Sequence, residues 1–329
     1  STARLQAQPY LREFTVADGL PSSNIRAIAE DRFGYLWLAS ADGLVRFDGR
    51  DFRTWRTENG LRDNELWAVH VDARNQLWVG THSAGLVMLS ADRRNFRYFD
   101  QQSYPQIGSN RIWAITSTAD GAIWFGTENA GLYRLAPDNS IRVFLPEHGN
   151  PRSLPSRAVG QLLVTDDGQL WVGTQNGVAR WTGGDFERLP LEQLPSPLIN
   201  TLQGDQQGRV WVGTSRGTVV VQPDGQIQTP QLDSEPGKEA LQLLVQDSRG
   251  EYWYDTRGGL GLSRDGHWVS DVPVFSAMAR RAVRPSWMLG YEDREGGLWF
   301  GSMDNGLWYL PANWRQFTHL QGDRDNIQG

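Results

Sequence analysis

The sequence has no cysteine and almost no lysine, and both shortages exclude kinds of chemistry. Lys238 is the only lysine among 329 residues, and there are five histidines. Without cysteine there can be no disulfide, thiolate nucleophile or thiolate metal ligand. A single lysine nearly excludes Schiff-base catalysis, whereas bidentate recognition of carboxylates or phosphates by arginine remains open.

Charge and hydropathy exclude further classes of function. The formal net charge is -6, whereas nucleic acid or an anionic membrane surface would require a basic face. No apolar run approaches the roughly 18 residues that a membrane-spanning helix needs. Local signatures of nucleotide, zinc-protease, serine-hydrolase and EF-hand sites are also missing. The sequence therefore predicts no nucleic-acid partner, cofactor or metal, and it offers no catalytic residue.

What the sequence does contain is a repeated tryptophan-centred phrase, as in NQLWVGT at 75–81 and GRVWVGT at 208–214. The tryptophans recur about every 44 residues, at Trp37, Trp78, Trp124, Trp171, Trp211, Trp253 and Trp299. Three residues earlier stands a residue that accepts a positive φ in a tight turn: Gly34, Asn75, Gly121, Gly168, Gly208, Gly250 or Gly296. The turn geometry is therefore predicted to be the same in every unit.

Each unit also has an apolar segment before this turn, a second glycine turn after it and an aromatic segment at its end. In five units an aspartate precedes the first turn, where its carboxylate can accept backbone N–H groups: Asp31, Asp72, Asp205, Asp247 and Asp293. The pattern predicts four short antiparallel strands joined by glycine hairpins. Elements that repeat at equivalent positions are interpreted as scaffold.

A four-stranded sheet of this size cannot bury both of its faces alone, whereas radial packing of seven such sheets solves the problem. The sequence therefore predicts an all-β fold, a seven-bladed β-propeller of four-stranded antiparallel blades. The tryptophans are expected to fill the wedges between neighbouring blades. The predicted organisation is an N-terminal tail at 1–10 and a single propeller at 11–329.

The two ends of the chain carry parts of the repeat. LREFTV at 11–16 resembles a fourth strand without its first three, which predicts that it completes the last blade. RQFTHLQGDRDNI at 315–327 matches REFTVADGLPSSNI at 12–25. Residues 315–329 are therefore predicted to begin a following repeat or domain, and the chain is expected to be the N-terminal part of a longer protein. Whether the N-terminal or the C-terminal strand closes the last blade is left open.

The repeated residues resemble the two-component regulator propeller repeat. That repeat combines an Ile-x-x-Ile first strand, Asp-x-x-Gly, apolar-Trp-apolar-Gly-Thr, Gly-Leu and an aromatic outer strand. The resemblance covers 11–329 and includes DGLPSSNIRAIAEDRFGYLWLAS at 18–40. It departs from the pattern in the sixth unit, where Asp255 replaces the glycine after the tryptophan, and in the longer entry PVFSAMARRAVRPSWML of the seventh.

This resemblance implies a periplasmic, non-enzymatic sensor region at the N-terminus of a bacterial inner-membrane signalling protein. It implies a kinase or cyclase output beyond this chain and a small polar ligand or glycan as partner. A homodimer of the full-length protein is a further expectation. The repeat motif itself fixes no ligand-binding residue.

Candidate binding residues are found by aligning the seven units and comparing equivalent positions, which we call columns. A propeller brings the members of a column into a ring about its axis. One first-strand column mixes charged, aromatic and amide side chains: Arg26, Trp67, Trp113, Gly160, Asn200, Gln242 and Met288. Arg111 and Arg157 lie shortly before it in the chain. We expect Trp67 and Trp113 to stack on a ligand and Arg26, Arg111 and Arg157 to donate charge-assisted hydrogen bonds. The alternative is that the column merely lines a water-filled channel.

A second column lies in the turns between the second and third strands, and its charge varies from blade to blade. Its predicted members are Asp42, His82, Glu128, Gln175, Arg216, Arg257 and Asp304. It can encode recognition or be solvated turn surface. His82 and Glu128 motivate an enzymatic alternative, a metal-assisted lyase resembling streptogramin lyase, whereas His70 in a first strand is expected to be a core residue. A third alternative is a platform for protein interactions alone.

Overall fold

The chain folds into seven four-stranded antiparallel sheets, which confirms the predicted seven-bladed β-propeller. The computed structural model describes residues 11–236, 238–270, 272 and 286–317. The predicted tail at 1–10 and nearly all of the predicted following repeat at 315–329 lie outside the described residues. Four single-turn 3-10 helices accompany the strands: Val16–Asp18, Thr57–Asn59, Leu191–Gln193 and Trp314–Phe317.

The first and second strands of the blades are the inner half of each sheet. The first strands are Ile25–Glu30 (β2), Leu66–Val71 (β6), Ile112–Ser117 (β10), Val159–Val164 (β14), Ile199–Gly204 (β18), Ala240–Gln246 (β22) and Trp287–Glu292 (β26). The second strands are Leu36–Ser40 (β3), Leu77–Thr81 (β7), Ile123–Thr127 (β11), Leu170–Thr174 (β15), Val210–Thr214 (β19), Tyr252–Thr256 (β23) and Leu298–Ser302 (β27).

The third and outer strands complete each sheet. The third strands are Gly43–Phe47 (β4), Leu86–Leu89 (β8), Leu132–Leu135 (β12), Gly177–Trp181 (β16), Gly217–Val221 (β20), Gly259–Arg264 (β24) and Leu307–Leu310 (β28). The outer strands of blades 1 to 6 are Phe52–Trp55 (β5), Phe96–Phe99 (β9), Ile141–Phe144 (β13), Phe186–Arg188 (β17), Ile227–Gln228 (β21) and His267–Trp268 (β25).

The first strands form the innermost ring of the molecule. Each contacts the first strand of the next blade, and β26 of blade 7 contacts β2 of blade 1. The ring is therefore closed, and the residues that the strands turn toward its axis come from all seven blades.

The outer strand of blade 7 comes from the other end of the chain. Strand β1 (Arg12–Phe14) pairs antiparallel with β28, and Phe14 lies opposite Leu307. The Phe14 ring stacks on Trp299 with centroids 5.9 Å apart and is 2% exposed. The N-terminal strand therefore closes the last blade, which answers the question that the sequence leaves open.

The repeated tryptophans are buried between blades, as predicted. All seven are at most 7% exposed, and Trp37 of blade 1 belongs to one hydrophobic cluster with Leu66, Leu77 and Leu89 of blade 2. Since a tryptophan buries roughly 200 Å² at about 25 cal/mol per Å², each contributes on the order of a few kcal/mol before conformational entropy is subtracted.

The first turn of each blade has the geometry that the sequence predicts. Gly34 has φ 84°, and Asn75 replaces glycine in blade 2 with φ 61°. Asp31 Oδ1 accepts the backbone N–H groups of Phe33 and Tyr35 at 2.9 and 3.1 Å. Within the described residues, no helix has the length and apolar character needed to cross a bilayer.

Candidate functional site

The variable residues of the propeller lie together on one face, where the first strands begin and the second strands end. On this face the residue before each first strand hydrogen-bonds to the turn after the second strand. Examples are His82 N to Glu65 O at 2.9 Å and Glu128 N to Arg111 O at 3.3 Å. We call the beginnings of the first strands, the residues before them and these turns the axial rim.

Each first strand has a β-bulge at its second residue, which the sequence pattern does not reveal. The pairing register shifts there in all seven blades. The bulge residues, across which the register shifts, are Arg26, Trp67, Trp113, Gly160, Asn200, Leu241 and Met288. Because a bulge redirects the side chain of the extra residue, these residues are the ones aimed differently from the rest of the strand. Six of them belong to the predicted column.

In blade 6 the bulge residue differs from the predicted Gln242. Strand β22 has a second register shift between Leu243 and Val245, so it contains one residue more than the other first strands. Counting the same number of residues back from Trp253 as in the other blades therefore reaches Gln242, whereas the bulge residue is Leu241. Gln242 instead pairs with Asp255, and its Nε2 donates to the Trp287 carbonyl at 2.8 Å.

The predicted turn column also needs correction in three blades. The residue that hydrogen-bonds to the start of the first strand is Ala41, Ser215 or Met303 there. Asp42, Arg216 and Asp304 lie one residue later, because the hydrogen-bonded residue follows the repeated tryptophan at the same distance in every blade and these three are one position beyond it. His82, Glu128, Gln175 and Arg257 do occupy equivalent positions.

Arg26 of blade 1 is held by residues of blade 2. Its Nη2 donates to Glu65 Oε1 and its Nη1 to the Leu66 carbonyl, both at 3.2 Å. Its guanidinium carbon lies 3.8 Å from the centroid of the Trp67 ring, a cation–π geometry. The Arg26 side chain is only 9% exposed, so this arginine joins the two blades and offers little free surface to a ligand.

His82 connects blade 2 to blade 3. Its Nδ1 lies 3.3 Å from Trp67 Nε1, and its Nε2 lies 3.1 Å from Arg111 Nη2. Arg111 also forms an ion pair with Glu128. A neutral imidazole has only one acceptor nitrogen, so His82 can accept from one of these two donors and not from both. Either the Trp67 indole N–H or the Arg111 Nη2 group therefore remains available to another acceptor.

The result is a connected row across three blades, in which charges alternate. Its members are Arg26, Glu65, Trp67, His82, Arg111 and Glu128. Two guanidinium groups balance two carboxylates, and the side chains of His82, Arg111 and Glu128 are between 33% and 39% exposed. A row that is balanced and partly open suits a small polar ligand better than a highly charged one.

Trp113 provides an aromatic surface at the next position of the rim. A Cβ atom at Gly160 would lie 3.7 Å from Trp113 Cε3, so bare backbone stands beside this partly exposed indole. Stacking on such a ring is a common mode of recognition for planar and sugar-like ligands.

Arg157 and Asn200 are exposed and are not joined to the row. The described residues provide no side-chain hydrogen bond or ion pair to either of them. The backbone carbonyl of Arg157 accepts a hydrogen bond from Gly131 N at 2.9 Å. Their roles in binding stay predictions.

Sequence reasoning missed Glu65, which is central to the row. The available signal was its position: Glu65 stands immediately before the first strand of blade 2, as Arg111 does in blade 3. A comparison of that column would have paired an acidic residue in one blade with a basic residue in the next.

His70 lies at the opposite end of β6 and has a structural environment. Its Nε2 is 2.7 Å from Ser117 Oγ of the next blade. Burial lowers the pKa of His70 to about 4, so the ring is neutral at physiological pH and satisfied by the hydroxyl. Within the part of the chain that the structure describes, no three His, Asp or Glu side chains converge as a metal site would require.

Comparison with known proteins bears out the repeat pattern. The family model of the two component regulator propeller matches residues 19–42, 106–129, 153–176 and 193–216, which lie in blades 1, 3, 4 and 5. Histidine kinase P4 of Formosa agariphila is 42% identical over 45 residues, or 14% of this chain and 3% of that protein.

The fold resembles solved propellers at low sequence identity. A B. thetaiotaomicron structure, described as the extracellular domain of a hybrid two component system, BT3049, superimposes with a TM-score of 0.73 at 19% identity. The match covers 92% of this chain but 42% of that one, so the chain spans less than half of this relative. A streptogramin B lyase superimposes with a TM-score of 0.67 at 16% identity, covering 91% and 96% of the two chains.

Proposed function

We propose that this chain, four segments of which match the family model of the two component regulator propeller, is the extracytoplasmic ligand-sensing part of a bacterial membrane-bound signal-transduction protein. The ligand is a small polar molecule or glycan that binds at the axial rim over blades 1 to 3. The observation that carries this proposal is the row from Arg26 to Glu128, which connects three blades through partly exposed polar groups and the Trp67 indole, with the Trp113 indole at the next position of the rim.

The row suggests how binding would be transmitted. Trp67 and Arg111 each direct an N–H group at the His82 ring. When a ligand accepts a hydrogen bond from one of them, the imidazole accepts from the other. Since Arg26, His82 and Arg111 belong to three blades, such an exchange changes the contacts between blades. A ligand can shift a conformational equilibrium only through such differential contacts.

A metal-assisted lyase is supported less well by the same geometry. A metal ligand needs a free nitrogen lone pair, but both ring nitrogens of His82 face donors, one of them the Arg111 guanidinium. A divalent cation at Nε2 would lie beside that positive charge, which disfavours its binding.

The proposal is tested with the double variant Trp67→Ala/Trp113→Ala. The ligand is sought by thermal shift of the purified propeller against neutral disaccharides, amino acids and dicarboxylates, and by an output reporter for the full-length receptor in cells. A ligand that binds the native state raises the melting temperature, and we expect the double variant to lose both this shift and the reporter response.

The matched control is Trp181→Ala, which removes a partly exposed indole from the outer part of blade 4. It is expected to lower stability while preserving the response. Retention of binding and signalling in the double variant would refute the rim site. A native propeller that no small molecule stabilises, with signalling intact, would favour the protein-interaction platform.

A further inference from the structure

A groove between blades 4 and 5 opens on the face opposite the axial rim. It is bounded by the first turns of the two blades, at 165–169 and 205–209, and by their outer turns. First strands run from the rim to these turns, so the two faces lie at opposite ends of the strands. The volume of the groove is about 720 Å³, within the range of roughly 300 to 1,000 Å³ that is typical of small-molecule sites.

The wall of this groove contains a tryptophan whose indole N–H has no acceptor. In five blades an aspartate accepts this hydrogen bond, as Asp205 Oδ2 does from Trp211 Nε1 at 2.8 Å. In blade 3, Thr118 Oγ1 accepts from Trp124 Nε1 at 3.1 Å. In blade 4, Trp171 is only 7% exposed, lines the groove, and its Nε1 has no partner among the described residues.

The cause of this orphaned donor is the position of Thr165. The Thr165 hydroxyl donates to Asp167 and accepts from Gln169 N at 3.1 Å, so its hydrogen bonds lie within the turn and none is made to Trp171. A buried donor without a partner costs about 1 to 3 kcal/mol. An oxygen atom from outside the protein would recover that free energy.

The charges around the groove indicate what kind of molecule supplies the oxygen. Five carboxylates and three guanidinium groups line it. Arg180 pairs with Glu187 at 2.8 Å and Arg209 with Asp205 at 2.7 Å. The remaining carboxylates, those of Asp166, Asp167 and Asp224, have no ion pair among the described residues. The surplus of negative charge disfavours anions.

Carboxamides supply most of the other polar groups of the wall. They are Gln169, Gln203, Gln206, Gln207 and Gln222. An amide side chain both donates and accepts, as hydroxyl groups do. The wall is thus suited to an uncharged ligand with many hydroxyl groups.

We propose that the groove between blades 4 and 5 is a second binding site, which takes an uncharged polyhydroxylated ligand of the neutral saccharide type. The Trp171 N–H donates to a hydroxyl oxygen of that ligand, while the surrounding carboxamides and carboxylates bind its other hydroxyl groups. This site is separate from the axial rim and does not depend on the function proposed there.

The molecule contains its own control, the corresponding groove between blades 2 and 3. That groove has a volume of about 430 Å³ and is lined by Trp78. Trp78 Nε1 already donates to Asp72 Oδ2 at 2.9 Å. The two grooves share their architecture but differ in size and in the state of the indole, so ligand binding is expected only between blades 4 and 5.

The experiment follows the indole N–H resonances by heteronuclear NMR while maltose, cellobiose, lactose, sucrose or galacturonic acid is added at millimolar concentration. Trp171→Phe identifies the Trp171 resonance, and Trp78→Phe identifies that of the control groove. We expect at least one neutral sugar to shift the Trp171 resonance, whereas galacturonic acid and the Trp78 resonance show no such effect.

Thr165→Asp places in blade 4 the acceptor that five other blades possess. Because the indole is then satisfied internally, we expect this variant to bind the sugar about tenfold more weakly, the equivalent of about 1.4 kcal/mol. Trp67→Ala/Trp113→Ala should leave the Trp171 shift unchanged. The proposal fails if none of the neutral sugars moves the Trp171 resonance, or if Trp171→Phe and Thr165→Asp both bind as tightly as the native protein.

Discussion

At the scale of single residues, the aspartate of the first turn joins the turn to the tryptophan wedge. Asp31 Oδ2 accepts from Trp37 Nε1 at 2.9 Å, while Oδ1 accepts two backbone N–H groups. Asp31 is 1% exposed, and Arg93 of the next blade lies 3.4 Å from its carboxylate. One side chain therefore satisfies the turn, the wedge and a neighbouring blade.

We predict that Asp31→Ala lowers the free energy of unfolding by about 2 to 4 kcal/mol, because it orphans a buried indole and leaves Arg93 without its carboxylate. Urea unfolding monitored by circular dichroism measures the change. Asp48→Ala is the control: Asp48 also accepts two backbone N–H groups in a turn of blade 1, but it is exposed and binds no indole. A loss of similar size in both variants would show that the indole bond contributes nothing.

For single residues, the sequence predicts burial but not hydrogen-bond partners. Burial of Trp37 and its six equivalents could be predicted, because a large apolar side chain recurring beside glycine has to be packed between elements. The bond from the indole to Asp31 could not, since the six-residue separation reveals nothing about the distance between Nε1 and Oδ2. The difference between Thr118 and Thr165 was equally hidden, because identical residues use their hydroxyl groups differently in the two turns.

At the scale of strands, the glycine after the tryptophan sets how closely blades approach. A Cβ atom on Gly126 would lie 2.5 Å from the Val159 carbonyl oxygen and 2.6 Å from Val159 Cγ1. Only a residue without a side chain allows β14 of blade 4 to lie against β11 of blade 3. The same contact between blades places Gly160, a residue of the axial rim, beside the Trp113 ring.

We predict that Gly126→Ala destabilises the protein by about 1 to 3 kcal/mol through overpacking at this contact. Gly160→Ala is the matched control, because its Cβ would meet Trp113 at an ordinary contact distance of 3.7 Å. Thermal unfolding of the two variants compares them directly. Equal melting temperatures would mean that the blades adjust without cost and that the glycine is not required by packing.

The strand scale also explains where the predicted site was inaccurate. Counting residues back from each tryptophan locates the bulge in six blades but fails in blade 6, because β22 contains an additional residue. That insertion has no sequence signal, since Leu243 and Leu244 both fit an apolar strand. Arg26, Trp67 and Trp113 could be placed on one rim from the repeat alone, whereas Glu65 was missed because its column was not compared.

At the scale of the whole molecule, the propeller and its axial rim depend on a closed ring. Blade 7 takes its outer strand from residues 12–14, and β26 contacts β2 beside it. LREFTV pointed to this closure, because a fourth-strand pattern without its first three strands needs an incomplete blade to pair with, but the sequence left the C-terminal strand as the alternative. Closure also fixes blade 1, which carries Arg26, between blades 7 and 2.

The most direct measurement is a cross-link between the two ends of the ring. Arg12 lies opposite Tyr309 in the β1–β28 ladder, and opposite residues of antiparallel strands are about 4.5 to 5.5 Å apart at Cα, within disulfide range. Since the chain has no cysteine, this bond is the only disulfide that the double variant Arg12→Cys/Tyr309→Cys can form within one molecule. The control, Arg12→Cys/Arg142→Cys, places the second thiol on the outer strand of blade 3.

Non-reducing electrophoresis and thiol titration after mild oxidation give the result. A closed ring predicts a monomeric, disulfide-bonded product for the 12/309 pair, with a melting temperature above that of its reduced form, and free thiols for the 12/142 pair. Free thiols in both variants, or bonds formed only between molecules, would contradict the closed ring and with it the axial rim.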